Sequence, residues 1–339
     1  MVTVLIGAGL TCLGVGLYEY FTSDVQKYPS NVRQALRKGL YYQNKNDHKL
    51  ALKYLREALD LALASPELER DGAPLTGIMI QVGALLETMG RLPEARQALV
   101  QAFEHVTRSQ GDLPSIDDMA ALPEITQKKA TGIAQKLGDV CAGLKRDEEA
   151  ERWYTWSVEH LLRVSSKPTS PYGDDDKMLF NKEHMPAWLT ETELGASLEA
   201  LATFYASRHR YTYAIPLYMR ALTLADVHKT CHATVLMNNL AEAFTSVNRF
   251  EDAKQWAQKG IDLAQNPNTR KQNKDGEICD ETCGILLFNM GMILEQTNDR
   301  IGAAVCYEKA KRHAREYKLM EVVQEADQAL KRIASQNED

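Results

Sequence analysis

The sequence predicts an all-α solenoid of about six helix hairpins, closed at its C-terminal end by one more helix and preceded by an apolar segment of membrane-spanning length. Three observations carry this. Apolar and small residues recur at spacings of four, three and seven, the repeat of one helix face. A pair of small residues, Gly or Ala and then Ala, returns six times at a separation of twelve. Residues 2–18 carry no charge.

The clearest hairpin lies within residues 287–310. Leu287, Met290, Gly291 and Leu294 share one face of a first helix, Asn298-Asp299-Arg300 breaks it, and Ala303, Tyr307 and Ala310 share one face of a second. Gly291 and Ala303 let the two helices approach closely, and Ala310 leaves room for the next hairpin. One hairpin of this size cannot bury its apolar face alone, so it stacks on neighbours.

The frame recurs upstream. Gly39, Ala51 and Ala58 form one copy, with Tyr42 and Leu55 between them. Gly83, Ala95 and Ala102 form the next, then Gly138 and Ala150 with Ser157 in the last small position. Ala202, Ala214 and Ala221 follow, then Ala241 and Ala253 with Gly260 last. In spacing and residue type the six copies resemble the tetratricopeptide repeat (TPR) over roughly residues 31–317. The resemblance implies a TPR-like α-solenoid and says little about function, because TPR proteins bind many things; no enzyme is expected.

Each copy exceeds the minimal repeat of about 34 residues. The excess goes into longer second helices and into inserts at about 109–125, 165–190 and 266–277, whose Pro, Gly, Ser and Asp content marks loops. Inserts of this length are functional or passive spacers. The longest mixes an Asp run with Met178, Leu179 and Phe180, apolar residues able to fold it back onto the array. After the repeats, residues 318–335 form an amphipathic capping helix with the stripe Val322, Val323, Ala326, Leu330 and Ile333, and residues 336–339 a polar tail.

At the other end, residues 1–22 read as a transmembrane anchor, joined to the array by a linker at 23–30. Residues 2–21 come close to the roughly 20 residues that cross a bilayer. Ala8, Cys12 and Gly16 make a small-residue row for helix packing. A secretory signal would want a basic start and a small-residue cleavage site, and neither is present. A buried core helix is the other rival, and it would be odd before an array that has its own core.

Formal charge is −6 with both signs mixed, and no basic stripe stands out, which argues against nucleic acid as the main partner. The six cysteines, Cys12, Cys141, Cys231, Cys279, Cys283 and Cys306, read mainly as small buried apolar residues whose spacing gives no disulfide framework. His228 and His232 beside Cys231, with Cys279 and Cys283, make a zinc clip conceivable, and a Cys279–Cys283 disulfide is a separate option. The expectation is no metal and no cofactor. No phosphate loop or nucleophile elbow is present, and no catalytic residues are assigned.

In a TPR stack the first helices line a concave groove. The resemblance places Arg37, Gln81, Lys136, Asn239 and Asn289 there, two positions before the small residue, with Asn44 and Asn238 beside them. Carboxamides both donate and accept, so they can hold a peptide backbone without reading its sequence. The basic clamp of chaperone-tail-binding TPR domains is disfavoured, because Leu36 and Leu40 occupy two of its positions.

The order of anchor, six long repeats and cap is similar to the fungal TPR adaptor subunit of the mitochondrial inner-membrane i-AAA protease. That resemblance implies a single-pass inner-membrane protein with its array in the intermembrane space. Its partners would be AAA protease subunits, unfolded client proteins and the bilayer. A mitochondrial TPR factor for respiratory-chain assembly shares the layout.

Overall fold

The computed structural model describes residues 27–68, 73–109, 111, 113–166, 185–225, 231–266 and 278–335. The anchor expected at residues 1–22, the first half of the linker, Cys12, His228, the tail and most of the second and third inserts lie outside the described residues. Among the described residues there are fourteen α-helices and no strand, and no helix is long and apolar enough to cross a membrane.

The chain divides into two compact units, residues 1–160 and 161–339. The first holds α1 (Ser30–Asn44), α2 (His48–Ala64), α3 (Ala73–Thr88), α4 (Leu92–Thr107), the short α5 (Ile116–Ala120), α6 (Glu124–Gly143) and α7 (Asp147–Val164). The second holds α8 (Glu191–Ser207), α9 (Tyr211–Leu224), α10 (His232–Ser246), α11 (Phe250–Gln265), α12 (Ile278–Gln296), α13 (Arg300–Glu316) and α14 (Met320–Ser335).

The small residues sit where the spacing puts them. Ala51, Ala58, Ala95, Ala102, Ala150, Ala202, Ala214, Ala221, Ala241, Ala253, Ala303 and Ala310 are all buried. Each glycine at the first small position of the frame backs onto the residue sixteen positions on. A Cβ on Gly39 would lie 2.9 Å from Leu55, on Gly83 2.7 Å from Leu99, and on Gly138 or Gly291 2.7 Å from the rings of Tyr154 and Tyr307. In these four hairpins the close approach is filled by one large side chain. In the tyrosine hairpins the hydroxyl then bonds back to the first helix, Tyr154 to Asp139 at 2.6 Å and Tyr307 to Glu295 at 2.8 Å.

The six hairpins share one turn. Seven residues after each small residue stands a left-handed one: Asn46, Gly90, Lys145, His209, Asn248 and Asn298. The amide that follows it reaches back to the carbonyl five positions earlier, as Asp47 does to Tyr42 and Asp299 to Leu294. This is the Schellman closure, which satisfies carbonyls that the helix end would leave open.

Two expectations are corrected. The insert expected as a loop at 109–125 holds a short helix in its described part. Ser115 caps α5 by accepting from the Asp118 amide, and α5 sinks Met119 completely. The Trp156 indole donates to the Pro114 carbonyl, and Gln127 donates to Leu122. Met119, with Leu113, Ile116 and Leu122 beside it, packs this stretch onto the core. The second correction concerns the cysteines. Cys231 and Cys279 form a disulfide, with their Cα atoms 5.1 Å apart. They stand at the starts of α10 and α12, the first helices of adjacent hairpins, 48 residues apart in sequence. Cys283 is buried outside that bond.

Candidate functional site

Three first helices of the second unit, α10, α12 and α14, enclose a cleft of about 670 Å³. From α12 it takes Ile285, Asn289, Met292 and Gln296, spaced four, three and four along one face. From α10 come Asn238, Glu242 and Thr245, and from α14 Val322, Glu325, Gln328 and Arg332. Phe288 and Ile293 complete an apolar floor. Phe288 is itself held against the Tyr307 ring, with centroids 5.2 Å apart.

The α14 wall is fastened. Arg332 donates through two nitrogens to the Glu295 carboxylate, each at 2.8 Å, and Tyr307 donates to the same carboxylate. The Arg332 fork, aided by the Tyr307 hydroxyl, holds the Glu295 carboxyl below its ordinary range. Burial, and then the Glu295 carboxylate, push the Tyr307 hydroxyl up, so it remains a donor at neutral pH. With Arg332 neutralised by Glu295, the other charges lining the cleft are the carboxylates of Glu242 and Glu325. The cleft is thus acidic over an apolar floor.

Its polar centre is an amide pair. Asn289 donates from Nδ2 to Oδ1 of Asn238 at 2.9 Å. That bond uses one donor and one acceptor. It leaves the Asn238 NH₂ and the Asn289 carbonyl oxygen, which match the C=O and N–H of one extended peptide unit.

The groove residues read from sequence divide. Asn238 and Asn289 meet in this cleft. Asn239, one position and about 100° round the helix from Asn238, is half-buried and does not line it. In the first unit Arg37, Asn44 and Gln81 are exposed on α1 and α3. Lys136 reaches from α6 to Glu87 of α3 at 2.9 Å and to Asp139 at 3.4 Å, so its charge is already engaged. Phe288, Glu242, Gln328 and Arg332 were not anticipated. The last two lie on the polar side of the amphipathic capping helix, and amphipathicity alone does not say what that side faces.

Among the described residues the members of the conceivable zinc clip are bonded otherwise. Cys231 and Cys279 hold each other, and His232 is hydrogen-bonded to Glu199 at 2.7 Å. Among the described residues no three His, Cys, Asp or Glu side chains are grouped to hold a metal. A second opening of about 740 Å³ at the ends of α8, α9 and α10 is lined by Thr190, Glu199, Leu224 and His232. It borders residues 226–230, outside the described residues, and no site is assigned there.

Comparison with known proteins agrees with this architecture. Residues 35–64, which fall on α1 and α2, match the tetratricopeptide repeat family model. A TPR repeat-containing protein of Schizosaccharomyces pombe is 26% identical over 304 residues, covering 85% of this chain and 74% of that protein. Among solved structures the chain is similar to BtubC of P. vanneervenii, with a TM-score of 0.52 at 13% identity over 87% of this chain and 93% of that one. It is also similar to the apo form of RapI, with a TM-score of 0.54 at 12% identity over 91% of this chain and 76% of that one. At such identity these structures speak for the fold: an all-α, TPR-like solenoid.

Proposed function

We propose that the chain is a TPR scaffold whose second unit binds an extended stretch of polypeptide in the α10–α12–α14 cleft. The Asn238–Asn289 pair carries this reading, because its remaining donor and acceptor fit a peptide unit and lie over an apolar floor. Backbone recognition of this kind tolerates many sequences. The two uncompensated carboxylates favour segments that set a lysine or arginine beside an apolar residue. In its fuller form the proposal is an adaptor that accepts unfolded clients and passes them to a mitochondrial inner-membrane AAA protease, held at the membrane by residues 2–21. The uncharged stretch at 2–18 and the order of segments support that form.

The test is titration of a fluorescent, permanently unfolded client against the parent and against Asn238→Ala/Asn289→Ala. Each lost amide contact is worth about 1 kcal/mol, so affinity should fall tenfold or more, with helical content unchanged. Equal affinity of two folded proteins removes the amide pair from the function. Carbonate extraction and co-purification from detergent-solubilised membranes test the anchor and the protease partner separately.

A further inference from the structure

The first hairpin differs from the others on one face. In α12 that face is Leu286, Met290 and Ile293, all buried. Leu286 lies against the preceding hairpin, where a Cβ on Gly260 would be 2.8 Å from its Cδ1. The residue just before the small one is buried and apolar in the other four later hairpins too: Val82, Leu137, Leu201 and Leu240. In α1 the matching face reads Gln34, Lys38, Tyr41 and Lys45. All four are exposed, Tyr41 by 57%.

These residues belong to one cluster. Tyr41 meets Tyr42 edge-on with centroids 5.3 Å apart, and Tyr42 stacks on Tyr54 at 5.5 Å. Three lysines surround the rings. Lys45 lies 6.0 Å from the Tyr41 centroid, and Lys38 and Lys53 lie 5.3 and 5.7 Å from that of Tyr54. None of the three is in an ion pair among the described residues, whereas Arg56, Lys136, Lys254 and Lys311 each hold a carboxylate. The hairpin Ser30–Ala64 carries seven Lys and Arg against three Asp and Glu, in a chain of net charge −6. An end face of a repeat stack needs polarity to stay in solution. It does not need one sign of charge, and the outer helix α14 mixes both.

We propose that this face seats on an anionic lipid surface. Lysine stems and tyrosine rings lie at headgroup depth with their polar tips in water. Each lysine near such a surface strengthens binding about fivefold. Lipid is favoured over an acidic protein segment because the uncharged residues 2–18 lead into this hairpin, so a membrane that takes up that segment meets this face first. That last argument rests on the membrane reading; the face itself does not.

The experiment is lysine acylation footprinting, read by mass spectrometry, on the full chain with vesicles of phosphatidylcholine alone or with phosphatidylserine. Lys38, Lys45 and Lys53 should react about tenfold more slowly on the phosphatidylserine vesicles only, and regain reactivity in about 1 M salt. Exposed Lys309 on α13 should be unchanged. Lys38→Gln/Lys45→Gln/Lys53→Gln should lower affinity for phosphatidylserine vesicles at least about tenfold with helical content intact. Binding to both vesicles without lysine protection overturns the proposal and supports the anchor. Binding to phosphatidylserine vesicles alone, with protection, supports the proposal and overturns the anchor. Binding to neither overturns both. Protection by polyglutamate but not by vesicles overturns the proposal in favour of an acidic protein partner.

Discussion

Gly138 and Gly291 each lie face to face with a tyrosine ring, while Gly132, on the same helix as Gly138, has nothing within 4 Å of where a Cβ would stand. The three should respond oppositely to one methyl group. Gly138→Ala and Gly291→Ala push a Cβ to 2.7 Å from a ring packed on every side, and overpacking of this kind costs about 1–3 kcal/mol. Gly132→Ala removes a flexible residue from a helix interior and should stabilise by about 0.5–1 kcal/mol. Urea unfolding of the three variants checks both signs. A second residue sets a pH dependence. His160 is wholly buried and stacked on Trp156 at 5.8 Å. Burial pulls it down to about 4. The folded state therefore keeps it neutral while the unfolded chain takes up a proton below about 6.5, and stability falls as pH drops from there toward 4. The slope approaches about 1.4 kcal/mol per pH unit. His232 works the other way, since the Glu199 carboxylate raises it. Its contribution is complete below about 6.5 and is lost at higher pH. Unfolding free energies between about pH 6.5 and 4.5 should therefore fall in the parent and stay flatter in His160→Gln. Spacing alone located the packing glycines and alanines, because a twelve-residue separation fixes two facing sites. It could not tell Asn238 from Asn239. Counting from the small residue assumes that adjacent first helices present the same positions to the groove, and the observed bond joins the third position before one small residue to the second before the next.

Hairpin identity was readable in the sequence because each hairpin is made by local contacts: a small residue, a second small residue twelve positions on, and a left-handed residue between them. Features that join hairpins were less readable. Cys231 and Cys279 meet only once α10 and α12 are stacked, and nothing in a separation of 48 announces it. The bond closes a long loop, so it should stabilise the second unit by about 2–4 kcal/mol. A reductant should lower the melting temperature of the parent and leave that of Cys231→Ser/Cys279→Ser unmoved. Cys283→Ser should keep the reductant response, since Cys283 lies outside the bond. An unaltered melting temperature on reduction of the parent would show that the helix starts are held by packing alone. The final helix teaches the same lesson. Of its apolar stripe, Val323, Ala326 and Ile333 are buried, while Val322 and Leu330 are half-buried. Its place as one wall of the cleft follows from where Arg332 docks, on Glu295 of α12, which is 37 residues away.

Across the molecule small residues set the scaffold of the hairpins, and the proposed peptide cleft lies in the second unit. The charge distribution agrees with two different partners: an acidic cleft over an apolar floor at α10, α12 and α14, and a lysine–tyrosine face on α1 and α2. The cleft is the stronger statement, and cross-linking maps it. A thiol-linked photo-cross-linker placed at Met292→Cys, on the cleft floor, is compared with one at Ile301→Cys, an 83% exposed position on α13 that does not line the cleft. Labelling of the parent sets the background from its own cysteines. On illumination with an unfolded client, Met292→Cys should capture the client, Asn238→Ala/Asn289→Ala in the same protein should largely abolish the capture, and Ile301→Cys should stay at background. Capture from Ile301→Cys equal to that from Met292→Cys, or capture from Met292→Cys that ignores the asparagine substitutions, would contradict a binding cleft organised by the amide pair.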